Sequence, residues 1–208
     1  MRRPFLTGEQ LYLRALEVSD VGEEYVSWLN DPAVTRFLGT GKFPTTPESL
    51  RRYLERFQDP ATDLIFAIVD RKTERHIGNV TLNHINWIVK TADTGLIIGR
   101  KECLGKGYAF EAWTLLLEYA FERLGLRKII AGAVDGHAGS LAVLKKLGFR
   151  VEGVLRGEFL MDAAYHDVVR MGIFREEFYK FAPAVPVAAR SLKMRHDASV
   201  KRQPTVVA

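Results

Sequence analysis

Residues 96–112 constrain this chain more than any other stretch. An apolar, strand-like run, Leu96-Ile97-Ile98, ends in a loop carrying Gly99, Gly105 and Gly107, and a long helix-forming segment follows at once. In that segment Ala112, Leu115, Leu116, Tyr119, Ala120 and Leu124 recur at helical spacing, and Gly125 is a natural stop. The first N–H groups of such a helix have no partner within it, and the helix dipole adds partial positive charge there. Gly105 and Gly107 let the backbone approach a ligand closely, and Lys106 adds a formal charge. The sum is an anion cradle suited to a pyrophosphate. It is neither of the two common nucleotide loops. Phe110 stands where a dinucleotide fingerprint needs its third glycine, and Lys106 is followed by Gly107 where a Walker A loop needs Ser or Thr.

The rest of the chain alternates strand-like and helix-like segments. Strands are expected over residues 11–14, 64–69, 77–83, 94–99, 128–134, 150–160 and 166–174, the last two flanking a turn at Asp162-Ala163. Helices are expected over 21–29, capped by Ser19-Asp20, over 47–57, 108–124 and 138–147. This mixed order with an antiparallel finish predicts an α/β (α+β) fold, a central mixed sheet with helices on both faces. At 208 residues and 47% hydrophobic content, one domain over 1–182 is expected. Residues 183–208 hold Pro183, Pro186 and Pro204 and no sustained period, and read as a basic, mostly disordered tail. Arg190, Lys193, Arg195, Lys201 and Arg202 against Asp197 give this tail +4 of the formal +5. The nearly neutral body argues against nucleic acid as a partner. No run of 18 apolar residues exists, so no membrane partner is expected. Cys103 is the sole cysteine, which suits a cytoplasmic location. No His, Cys or Asp cluster has metal-ligand spacing, so no metal is expected.

Leu104-Gly105-Lys106-Gly107-Tyr108-Ala109 resembles the coenzyme A pyrophosphate loop of the GNAT acetyltransferases, Gln/Arg-x-x-Gly-x-Gly/Ala, with Gly107 and Ala109 at the last two fixed places. The extended form Gly-Lys-Gly-Tyr-Ala-x-Glu-Ala resembles the branch containing ribosomal-protein N-terminal, spermidine and aminosugar acetyltransferases. Other blocks resemble the same branch in the same order: Trp28-Leu29-Asn30-Asp31-Pro32, Ser140 through Leu147-Gly148-Phe149, Glu152-Gly153-Val154-Leu155-Arg156 and Tyr165-His166-Asp167-Val168-Val169-Arg170-Met171. Three positions depart from the family. Leu104 replaces the usual Gln or Arg, His137 stands where an Asn often holds the pantetheine arm or a water, and Leu144 stands where many relatives carry a Tyr that protonates the leaving thiolate.

The resemblance implies a single GNAT domain using acetyl-CoA as co-substrate. It places the cofactor on Ile97, Ile98, Gly99, Leu104, Gly105, Lys106, Gly107, Tyr108, Ala109, His137 and Ser140. The backbone N–H of Ile98 is the expected oxyanion donor, Glu158 the first choice of base, and Ser140 either a partner of the leaving sulfur or a helix cap. Trp28, Asn30, His84 and Glu158 are the candidate acceptor-binding residues, each open to a plain structural reading. The acceptor is expected to be a primary amine on a small molecule such as an aminosugar nucleotide, because residues 35–47 carry no acid for a polyamine. A peptide N-terminus, spermidine and a non-catalytic acetyl-CoA-binding module are the alternatives. Homodimers are common among related proteins.

Overall fold

The computed structural model describes residues 3–181. The strands are β1 (Leu6–Thr7), β2 (Leu11–Ala15), β3 (Leu64–Asp70), β4 (His76–Asn86), β5 (Thr91–Ile98), β6 (Lys128–Val134), β7 (Arg150–Met161) and β8 (Ala164–Phe174). The helices are α1 (Glu23–Asn30), α2 (Pro32–Thr35), α3 (Pro47–Leu54), α4 (Tyr108–Glu122), α5 (Ala138–Leu147) and α6 (Arg175–Phe181). The strands form one sheet in the order β1-β2-β3-β4-β5-β6-β8-β7. Every neighbouring pair is antiparallel except β5 and β6, which α4 joins by a crossover. This is the mixed sheet with helices on both faces that the sequence order predicts.

Burial explains the pattern. Helices α4 and α5 cover one face, where Phe66, Ile68, Val80, Leu82, Leu116, Phe121, Leu144 and Ile173 share a core. Helices α1 and α3 cover part of the other, with Tyr25, Trp28, Leu29, Leu50, Leu54 and Ile65. Strand β3 lies between these layers, so both of its faces are apolar and its sequence runs without alternation. Helix α3 starts where the sequence says it should. Thr46 Oγ1 accepts from Ser49 N at 3.1 Å, Ser49 Oγ accepts from Thr46 N at 2.9 Å, and Pro47 opens the first turn.

Two local expectations are corrected. Ser19-Asp20 does not cap α1. Asp20 turns inward to an ion pair with the buried Arg14 at 2.7 Å, residues 18–20 form a 3-10 turn, and α1 begins at Glu23. The final strand is followed by α6, which seats the buried Phe178 against Phe121 at 5.6 Å between ring centroids. The tail expected over 183–208 lies outside the described residues.

Glu111 on α4 ties the N-terminal turn to the helix that carries the loop. Its carboxylate accepts from Gln10 N at 2.9 Å and from Gln10 Nε2 at 3.2 Å. Glu111→Ala should lower stability by about 1.5–3 kcal/mol, the worth of hydrogen bonds to a charged group. Urea unfolding would show this as a lower midpoint with an unchanged slope.

Candidate active site

The site begins where two strands stop pairing. β5 and β6 pair only from Thr91↔Lys128 to Thr94↔Ala131, yet β5 continues to Ile98 beside β4 and β6 continues to Val134 beside β8. A wedge opens between them. Gly99 N donates to Ile77 O at 2.9 Å, so the N–H groups of Ile97 and Gly95 also face β4. By alternation, those of Leu96 and Ile98 face the wedge. This edge presents preorganised donors to any carbonyl lying in the gap.

The loop after β5 is arranged as the sequence suggests. Gly105 and Gly107 both lie in the left-handed region, at φ +71° and +87°, where a side chain is strained. Gly107 is the N-cap of α4, and the first intrahelical bond runs from Glu111 N to Gly107 O. No N–H from Gly105 to Phe110 donates to a protein acceptor among the described residues. Two of the three nearby cations are engaged within the fold. Buried Arg100 donates from Nε to His76 O at 3.0 Å and pairs with Glu24, and Lys101 pairs with Asp31 at 2.6 Å. Lys106 has no ion pair among the described residues. Tyr108 fixes the helix start by donating to Asp70 at the β3–β4 turn. That bond is the main cause pushing the Tyr108 hydroxyl up to about 12. Burial would raise the Asp70 carboxyl, but the bonds from Tyr108 and Thr73 outweigh it and hold it low.

Across the wedge, His137 is the N-cap of α5, its Nδ1 accepting from Ser140 N at 3.5 Å. Its ring stacks on Phe37 at 4.3 Å. Ser140 therefore occupies the first turn rather than the cap, and the residue is half-buried. Leu144 is fully packed in the core, at 1% exposure. A leucine there completes the packing under α5 and offers no proton.

On the α1–α3 face a cavity of about 320 Å³ opens beside the end of β5. It is lined by Tyr25, Leu29, Leu38, Thr40, Thr45, Ser49, Leu50, Tyr53, Ile65, Asn79, Thr81, Gly95, Leu96 and Ile97. Nothing in this lining carries a formal charge. The candidate acceptor residues lie elsewhere. Trp28 is core, packed on Gly99, Tyr25 and His76. Asn30 pins the 39–46 loop, its carboxamide accepting from Thr45 N at 2.7 Å and donating to Thr45 O at 2.7 Å. His84 is exposed on β4 at φ +52°, its N–H donating to Asp63. Glu158 is exposed on a bulge of β7. Sequence reasoning missed Asn79 and His76. The one available signal was an asparagine inside the strand run Ile77-Gly78-Asn79-Val80, where that residue type is disfavoured.

Burial lowers the pKa of both His76 and His137, so each gains its proton at a lower pH in the fold than in the unfolded chain. The unfolded chain takes up these protons near pH 6.5. Below that pH the unfolded state binds more protons than the native state, so stability falls as the solution is acidified. Melting temperature should drop between pH 7.5 and 5.5, and His76→Gln should flatten that slope. A slope unchanged in the variant would show that His76 does not contribute.

A sheet splayed at its one parallel junction, with a glycine-rich helix N-terminus beside the gap, defines a coenzyme A-dependent acyltransferase fold. Residues 10–150, more than half of the chain, match the acetyltransferase (GNAT) domain family, and the chain belongs to that family. It is an acetyl-CoA-dependent N-acetyltransferase. Spermidine N(1)-acetyltransferase of Escherichia coli is 29% identical over 167 residues, covering 80% of this chain and 87% of that protein. The N-acetyltransferase p20 of Bacillus licheniformis is 29% identical over 173 residues, covering 82% and 96%. The crystal structure of Vibrio cholerae spermidine N-acetyltransferase with CoA and spermine superposes with a TM-score of 0.75 at 28% identity, covering 82% of this chain and 98% of that one. No described helix is long and apolar enough to cross a membrane. No metal-ligating cluster occurs among the described residues.

Proposed function

We propose that this acetyltransferase acts on a primary amine carried by a neutral or anionic, oxygen-bearing small molecule, of the aminosugar class. The observation that carries this reading is the uncharged lining of the cavity beside Leu96 and Ile97, which holds hydroxyls, one carboxamide and apolar groups. A polyamine binds through carboxylates that neutralise its further ammonium groups, and the lining has none. A peptide N-terminus is the second reading, since an α-amino amide also carries oxygen beside its amine.

In this reading the cofactor pyrophosphate lies on the N–H groups from Gly105 to Phe110, with Lys106 as counter-charge. The pantetheine arm runs along the β5 edge, and Phe37 and His137 close its far side. The thioester oxygen takes the N–H of Ile98. The neutral amine attacks the carbonyl carbon, the C–S bond breaks, and the amine proton leaves to solvent. A thiol of pKa about 8.5 is a good leaving group near neutral pH, so a buried Leu144 is tolerated. Glu158 and Ser140 are retained as candidate proton-transfer groups, both on the β6 side of the wedge. The same reading places the enzyme in the cytoplasm and sets a second copy on the outer edge of β7, where Val151, Val154, Leu155 and Leu160 are exposed.

The test is acetyl-CoA-dependent thiol release with aminosugar nucleotides, polyamines and short peptides in parallel. Turnover is expected with the aminosugars. Turnover confined to spermidine would reject the acceptor assignment. Sedimentation equilibrium tests the dimer, and a monomer at tens of micromolar would reject it.

A further inference from the structure

We propose that Asn79 selects the acceptor, its side-chain N–H donating to an oxygen that the substrate carries two bonds from its amine-bearing carbon. The inference rests on reading the cavity as the acceptor site and deepens it.

The orientation of the Asn79 carboxamide follows from its neighbours. His76 Nε2 lies 2.9 Å from Gly78 O. A backbone carbonyl can only accept, so this nitrogen carries the hydrogen. The same nitrogen lies 2.8 Å from Asn79 Oδ1. The carboxamide therefore turns its oxygen to His76 and its NH2 away from it. The imidazole is itself held in place. Tyr25 and Trp28 contact it at 5.5 and 5.0 Å between centroids, and Arg100 Nε fixes the His76 carbonyl.

Asn79 is 3% exposed and its Nδ2 has no partner, the sole such buried side-chain atom among the described residues. Native proteins rarely leave a buried donor unmatched, and an exception calls for a specific reason, a functional role among them. Thr81, two residues on and on the same face, is already committed. It accepts from Asn83 Nδ2 at 2.8 Å and donates to Gly95 O at 3.3 Å. The register sets Asn79 opposite Ile97, between the two residues whose N–H groups face the wedge. The backbone of Asn79 thus runs about one inter-strand spacing, roughly 5 Å, from the strand that polarises the thioester, and Asn79 lines the cavity together with Leu96 and Ile97. An amino alcohol or α-amino carbonyl compound can place its amine at the thioester and its oxygen on Asn79 together. A polyamine carries donors only once its remote nitrogens are protonated, and leaves Nδ2 unmatched.

The test uses the full chain and four probes: L-leucinamide, D-glucosamine, isoamylamine and spermidine. Isoamylamine is leucinamide without the amide. The wild type should favour leucinamide or glucosamine over isoamylamine at least tenfold in kcat/KM. Asn79→Leu should lower kcat/KM for the oxygen-bearing amine at least tenfold more than for isoamylamine, chiefly through KM, with the acetyl-CoA KM unchanged. His76→Leu should act in the same direction, and His76→Gln, which keeps an N–H, should restore part of the preference. Equal losses on all probes, or an unchanged preference, would overturn the proposal. Leucinamide against glucosamine separates the α-amino carbonyl from the amino alcohol. If no probe turns over, the acceptor reading fails on its own, and the CoA-loaded protein still decides the role of Asn79. Its side-chain amide signal, identified by its loss in Asn79→Leu, should shift with leucinamide or glucosamine and stay fixed with isoamylamine. No shift with either oxygen-bearing compound overturns the inference.

Discussion

Gly107→Glu should abolish acetyl-CoA binding in a protein that still folds. The position has φ +87°, so any L-residue carries strain of about 1–2 kcal/mol. Space is available, since an added Cβ would meet only Gln10 Nε2 at 3.6 Å. The new carboxylate sits at the N-terminus of α4 and competes for the same N–H groups. It also repels the pyrophosphate. Two like charges at 4 Å cost about 4 kcal/mol at an effective dielectric of 20, which is nearly three orders of magnitude in affinity. Titration calorimetry should find at least a 100-fold loss, while circular dichroism stays native. Gly107→Ala, with the strain but no charge, should lose much less. Normal affinity in folded Gly107→Glu would remove this loop from the cofactor site.

Gly78→Ala should produce the larger stability loss. Its Cβ would lie 2.1 Å from Ile97 O and 3.1 Å from Ile98 Cα, both backbone atoms of the neighbouring strand. No rotamer relieves a backbone clash, so β4 and β5 must move apart beside the wedge. Overpacking of this kind costs about 3 kcal/mol, which in a chain this size lowers the melting temperature by roughly 6–12 °C. The same shift displaces the Ile98 N–H, so kcat should fall in the surviving folded protein. Gly95→Ala is the contrast, because its Cβ meets only Thr81 Oγ1 at 3.3 Å. A variant at Gly78 with wild-type stability and kcat would show that this rung does not set the spacing of the wedge.

The parts of the site that were legible in the sequence are the local ones. The cradle is contiguous: Gly105, Lys106 and Gly107 at the start of an amphipathic helix declare their geometry through φ and helix-end chemistry alone. Leu144 was visible as a departure, but only packing shows that its side chain is part of the core beneath α5. Ser140 read equally well as cap or ligand until His137 took the cap. Trp28 and Asn30 lay in a recognisable block, yet one packs on Gly99 and the other pins a loop. The cavity beside β5 was not legible, because residues from α1, the 38–49 segment, α3, β3, β4 and β5 meet there without any shared spacing.

The amino-acid sequence by itself determined the order of strands and helices, the two-sided burial of β3 and the glycine-rich loop at the start of α4. Each depends on periodicity or on backbone preferences within a few residues. Tertiary structure alone decided where β5 leaves β6, which N–H groups face the gap, and that His76 and Asn79 share a hydrogen. Those features come from strands paired across the sheet, and a hydrogen-bonding partner left over after pairing is defined only when every neighbour is in place.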